Sequence, residues 1–251
     1  MRPPEKRWWH TPAAIVLWWI GLCWMIPMMA LMAFFGAILG PRRIEPLSRL
    51  YCRGQVFLTG SRYRTVVHPS IDPAKSYLFA QNHTNLFDHV TLYCATPHFK
   101  QGLELQEHFK IPVYGWFMRS RGTIPVRKGS QGQTPEIMEN MRREVSTGGS
   151  ILAFPEGHRT LDGHVRPLRK GTFFIARDLG IPVIPVAVTG MWAVQRKGDW
   201  RIRPGWEVTV FCEEPIETAG LSDEEVAELA ERVHTVMAAR VDAWGREHGL
   251  L

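Results

Sequence analysis

The chain is poor in cysteine, with four in 251 residues (Cys23, Cys52, Cys94, Cys212) and no C-x-x-C pair. Scattered thiols exclude a disulfide framework and a cysteine-built zinc site, and they read as free thiols in a reducing cytoplasm. Internal repeats, low-complexity linkers and nucleic-acid motifs are also missing, as is any basic stripe interleaved with aromatics. There is no G-x-S-x-G elbow, so a covalent serine mechanism is not indicated. From residue 13 to residue 39 there is no charged residue at all. As one helix that stretch would measure about 40 Å, against roughly 30 Å for a bilayer's hydrocarbon core.

What is present follows from that last gap. The length suits one sizeable domain plus an appendage, divided here as a membrane anchor over 1–45 and a second domain over 46–251. Two forms of the anchor fit: a single tilted span, or a helical hairpin broken near Pro27, where proline removes a backbone donor. Trp8, Trp9, Trp18, Trp19 and Trp24 suit an interfacial aromatic belt, while basic residues flank both ends and leave the orientation open. A cleaved signal peptide is not expected, because the apolar run is long and ends in Gly40-Pro41. The formal net charge of +6 and the pI near 9.3 point to an anionic partner. Beside a membrane segment that partner is anionic lipid rather than nucleic acid; an ordinary basic surface is the plainer alternative.

Beyond the anchor, residues 55–60, 63–67, 77–80, 150–154, 182–188 and 207–211 read as strands, and 123–126 as a short apolar segment. Helices are expected over 86–95, from Thr134-Pro135 to the Gly148-Gly149 pair, over 171–178, and from a Ser222/Glu225 capping box onward. The last carries Val226, Leu229, Val233, Val236, Met237 and Trp244 on one face. This alternation predicts an α/β fold with a mostly parallel central sheet flanked by helices, preceded by a membrane helix or helical hairpin. In such sheets sites gather where strands end and helices begin.

Two runs occupy such junctions. In Gln81-Asn82-His83-Thr84-Asn85-Leu86-Phe87-Asp88 a histidine and a carboxylate are spaced H-x-x-x-x-D. A strand-to-helix turn between them would let Asp88 fix one ring nitrogen of His83 and leave the other as a general base. The plainer readings are a loop histidine satisfied by backbone and a carboxylate favoured near a helix start. A metal site from His83, Asp88 and His89 lacks a fuller ligand set. In Phe154-Pro155-Glu156-Gly157-His158-Arg159-Thr160 a glycine turn places Arg159 where backbone N–H groups and a guanidinium can hold a phosphate. Glu156 either positions that arginine or binds a substrate hydroxyl; a surface ion pair is the plainer alternative. Arg127 and Lys128, with Arg169 and Lys170, either complete a cationic pocket or are solvated loop charges.

With these residues in place, the stretch from about 55 to 215 resembles the bacterial 1-acylglycerol-3-phosphate (lysophosphatidic acid) acyltransferase family. Asn82, His83 and Asp88 match its N-H-x-x-x-x-D block. Pro112, Gly115, Gly122, Ile124 and Arg127 or Lys128 match the second block, and Phe154, Pro155, Glu156, Gly157 and Arg159 match F-P-E-G-T-R-S. A proline-bearing apolar strand at 181–188 matches the fourth. His158 stands where the family has threonine, Thr160 where it has serine, and a lysine often found in the second block is missing. The resemblance implies acyl transfer from acyl-CoA or acyl-carrier protein to a lysophospholipid hydroxyl, with no metal or tightly bound cofactor. His83 would be the base and Asp88 its support, with Glu156, Gly157, Arg159, Arg127 and Lys128 around the acceptor. It also implies a place on the bacterial inner membrane, with the site facing the cytoplasm.

Overall fold

The computed structural model describes residues 8–127 and 135–250. The first helix, α1 (His10–Leu39), is continuous through Pro27, so the hairpin alternative does not form there. The chain reverses instead at residues 40–44, where Gly40 takes φ +85°, and enters α2 (Glu45–Phe57). One stripe of α1 faces inward: Ala14, Gly21, Met29, Met32 and Gly36 are buried. The rest does not, and only 17% of its most apolar window is covered. A helix that is apolar all round and covered on one stripe leaves a long apolar surface exposed on its other faces. Its inner stripe stays close to the body over its length. Trp24 Nε1 donates to Tyr51 O, and a Cβ on Gly36 would come within 3.1 Å of Ile44 and Ser120.

The remaining elements are β1 (Arg62–Val67), β2 (Leu78–Gln81), α3 (Asp88–Ala95), β3 (Lys100–Leu105), α4 (Tyr114–Arg121), β4 (Ile124–Val126), α5 (Pro135–Ser146), β5 (Ser150–Ala153), α6 (Gly171–Leu179), β6 (Val183–Thr189), α7 (Met191–Val194), β7 (Glu207–Cys212) and α8 (Asp223–Glu247). They build a sheet ordered β1, β7, β6, β2, β5, β3, β4. Among the strands of the described residues only β6–β7 pairs antiparallel. Tyr77 and Phe79 point into the layer made with α1, α2, α3 and α4. Leu78 and Ala80 point into the layer made with α5, α6 and α8. All four residues of β2 are therefore buried, as expected of a central parallel strand covered on both faces. The capping box forms as read: Ser222 Oγ accepts from Glu225 N, and Glu225 closes back on Ser222 N.

Residues 55–60 depart from expectation. They are the last turn of α2 and the turn after it, because Ser48, Tyr51, Cys52, Gln55 and Val56 form one buried helical face. Strand β3 and helix α4 were not foreseen. The start of β3 is a buried lysine and glutamine rather than an apolar run; Lys100 Nζ donates to the carbonyls of Thr96 and His98. Thr134, the expected N-cap of α5, lies outside the described residues.

Candidate active site

Strands β2 and β5 are parallel neighbours, so the turns that follow them emerge side by side. At the end of β2 the side chain of Asn82 continues the ladder to β6. Its Nδ2 donates to Val188 O at 3.0 Å and its Oδ1 accepts from Val188 N at 2.7 Å. The backbone is thereby free to bend, and α3 begins at Asp88. The Asp88 carboxylate folds back over the bend. Oδ2 accepts from Thr84 N (2.5 Å), Asn85 N (2.7 Å) and His83 Nδ1 (2.9 Å), and Oδ1 from Thr84 Oγ1 (3.1 Å). A negative group in the first turn of a helix also meets the favourable end of its dipole. Asp88 is 1% exposed. The His83 ring stacks on Phe154 at 4.2 Å and remains partly open, with Nε2 away from the carboxylate. Among the described residues Nε2 has no hydrogen-bond partner.

The second turn is tied to the first by Glu156. Its Oε1 accepts from His83 N (2.6 Å) and its Oε2 from Arg166 N (2.9 Å), while Thr160 N donates to His83 O (2.8 Å). Glu156 is buried, and burial pushes its carboxyl up to about 7 against the pull of those two N–H groups. Of the two roles read for it, neither is what the geometry displays. Among the described residues no ion pair joins it to Arg159, and both oxygens are occupied by backbone donors. Gly157 has φ +73°, and a Cβ there would sit 2.5 Å from the Arg169 guanidinium. Arg169 Nη2 also lies 3.5 Å from His158 Nε2. Arg159, two residues after Gly157, is half-buried.

Arg127 follows β4 at the same end of the sheet, but β3 lies between β4 and β5. Lys128 lies outside the described residues. His89 adds no ligand set: among the described residues no group of three histidine, cysteine or acidic side chains is arranged to hold a metal. Sequence reasoning passed over Asn85, whose Nδ2 donates to Met191 O and Gln195 O while its Oδ1 accepts from Phe87 N. It also passed over Phe154 as the floor of the histidine ring, and over Arg166. The polar density of the 81–88 run was the available signal for Asn85.

The acyltransferase family model matches residues 61–189, a span that contains both turns. The chain belongs to the acyltransferase family. Among relatives of this chain, the chloroplastic 1-acyl-sn-glycerol-3-phosphate acyltransferase of Brassica napus is 30% identical over 162 residues, 63% of this chain and 47% of the relative. The 1-acyl-sn-glycerol-3-phosphate acyltransferase of Haemophilus influenzae is 26% identical over 168 residues, 65% of this chain and 68% of the relative. The chain thus spans about half the length of the plant relative. In fold, the chain is similar to the crystal structure of the 1-acyl-sn-glycerophosphate (LPA) acyltransferase PlsC from Thermotoga maritima. The TM-score is 0.79 at 20% identity, covering 93% of this chain and 95% of that one.

Proposed function

We propose that this acyltransferase moves a fatty acyl group from the thioester of acyl-CoA or acyl-carrier protein to the free hydroxyl of a lysophospholipid, with 1-acyl-sn-glycerol-3-phosphate as acceptor and phosphatidic acid as product. The observation that carries this reading is the His83–Asp88 pair: a carboxylate held by four donors fixes Nδ1 and leaves Nε2 as the outward nitrogen. Nε2 takes the hydroxyl proton as that oxygen attacks the thioester carbonyl. The C–S bond then breaks, and the thiolate takes the proton back from the imidazolium. Asp88 stabilises the imidazolium in between. Arg159 binds the acceptor phosphate, as a planar fork suits. Glu156 positions both turns rather than touching substrate.

The outward faces of α1 occupy the bilayer, so that the His83 turn meets an acceptor whose chain stays in the membrane. We place the protein on the inner membrane with its site open to the cytoplasm, where the donor thioester is found. The test is purified protein with labelled palmitoyl-CoA and a panel of lysolipids, including lysophosphatidic acid and lyso-ornithine lipid, read by product mass and released thiol. Thiol release without any acceptor would make the protein a hydrolase. No thioester consumption with any acceptor would make it a lipid-binding protein.

A further inference from the structure

The segment that follows α7, residues 195–206, takes no part in the His83–Asp88 pair. Over 195–203 it carries Arg196, Lys197, Arg201 and Arg203 against a single acidic residue, Asp199. The Asp199 carboxylate collects three of these cations: Arg203, Arg201 at 3.2 Å and Arg196 at 3.9 Å. Arg203 is buried on that carboxylate, so the partly exposed Arg196 and Arg201 are left underbalanced, and among the described residues no carboxylate pairs with Lys197. An anion is the complement this segment lacks.

Its attachments say which anion. Trp200 O accepts from Trp18 Nε1 at 2.7 Å, and Arg201 Nε donates to Thr11 Oγ1 at 3.2 Å, so the segment is clamped to the first turns of the apolar helix α1. The Trp200 ring is itself 47% exposed, and Trp8 and Trp19 of the same region are exposed as well. Exposed indoles next to surplus cations at the end of an apolar helix match the headgroup layer of a bilayer, where rings sit at the interface and cations meet anionic lipid. At its start the segment is fastened to the active site, because Asn85 Nδ2 donates to Gln195 O at 2.7 Å.

We infer that residues 195–203 form a second membrane contact, selective for anionic phospholipid headgroups, which sets the depth of the His83 turn at the interface. This rests on the reading of α1 as embedded in the bilayer.

The test uses full-length protein in nanodiscs of phosphatidylcholine alone and of phosphatidylcholine mixed with phosphatidylglycerol. Amide exchange is read separately for α1 and for the 195–206 segment. Exchange of 195–206 should slow when phosphatidylglycerol is present, and the double variant Arg196→Gln/Lys197→Gln should lose that response. In anionic nanodiscs the same variant should raise the acceptor KM roughly 25-fold, since each of the two basic residues near such a surface contributes roughly fivefold in affinity. In neutral detergent micelles its turnover should match the parent. Equal exchange of 195–206 in both lipids, with α1 protected, would overturn this contact alone and point to a protein partner or none. An unprotected α1 would overturn the embedded reading and this contact with it.

Discussion

The turns after β2 and β5 are built on one topological device, a parallel strand running out into a helix, yet they treat charge in opposite ways. The first turns its carboxylate inward and satisfies it completely, with two backbone N–H groups, a hydroxyl and His83 on Asp88. The second buries its carboxylate as mortar between the turns and leaves Arg159 and Arg169 beside a glycine at the surface. A group that must hold one tautomer needs a fixed, water-free partner; a group that must bind a polar headgroup needs reach and solvent. On the proposed function the burial of Asp88 against the half-exposure of Arg159 is a division of labour, and substitutions should separate turnover from acceptor binding.

The largest effect should come from His83→Ala, which removes the base and should lower kcat by roughly 10²–10⁴. Its folding should change little, since the ring contributes a stack on Phe154 and one hydrogen bond. Asp88→Asn should show a smaller kcat loss together with destabilisation, because an amide NH2 would face donors at Thr84 and Asn85. A His83→Ala protein with near-parental turnover in the purified acyl-transfer assay would break the comparison at its first half.

The second turn should answer in KM. Arg159→Ala removes a charge-assisted hydrogen-bonding group worth about 1.5–3 kcal/mol, so the acceptor KM should rise roughly ten- to a hundredfold while the donor KM moves little. Arg159→Lys should also be impaired, since a point charge does not reproduce a fork. Steady-state kinetics with each substrate varied in turn decides this. An effect on the donor alone would take Arg159 out of the phosphate role.

Glu156→Gln probes the joint between the turns. An amide can accept on one side only, so either His83 N or Arg166 N is left facing a donor, at about 1–3 kcal/mol. Turnover should fall by about tenfold, without selectivity between donor and acceptor. The same substitution has a pH signature. A carboxyl near 4.3 in the unfolded chain and raised to about 7 in the fold binds more protons folded than unfolded between those values. Its contribution to stability is thus full below about 4.3 and lost as pH rises through about 7. Lys100, which burial pushes down to about 7, acts in the opposite sense above that window, so the two do not overlap. Denaturant titrations at pH 5 and pH 8 should show a smaller pH dependence for Glu156→Gln than for the parent. An unchanged dependence would mean that Glu156 ionises normally.

The two turns were legible in the sequence to unequal degrees. His83 and Asp88 could be paired by reasoning, because a spacing of five fits no continuous helix face and demands a bend. The partners of Glu156 could not: they are backbone N–H groups at His83 and Arg166, which leave no mark in residue identity. The parallel direction of β2, β5 and β6 followed from alternation, whereas their order in the sheet did not. Strand β3 did not, because it begins with the buried polar residues Lys100 and Gln101, whose donors are taken up by the carbonyls of Thr96 and His98 and, twenty residues on, of Arg121. The end of α2 was misread because Val56-Phe57-Leu58 between two glycines is a short apolar run that suits a strand equally well. What betrays the helix there is the buried spacing of Ser48, Tyr51, Cys52 and Gln55, and half of that face is polar.

The finest test of the comparison is Gly157→Ala, because it touches the second turn at one atom. Two costs are expected. The φ of +73° is left-handed, which an alanine adopts at about 1–2 kcal/mol, and a melting temperature lowered by a few degrees should report it. The new Cβ would also meet Arg169 Cζ at 2.5 Å. That neighbour is the far end of a flexible side chain, so it should swing aside rather than break the fold. If Arg169 helps Arg159 to hold the acceptor, this swing should raise the acceptor KM several-fold and leave kcat alone. Repeating Gly157→Ala in an Arg169→Ala background separates the two: the loss in melting temperature should persist, since it belongs to the backbone, while the further rise in KM should vanish, since the displaced group is gone. A KM effect that survives the removal of Arg169 would assign the disturbance to the turn itself, and would show that Arg159 holds the acceptor without its neighbour.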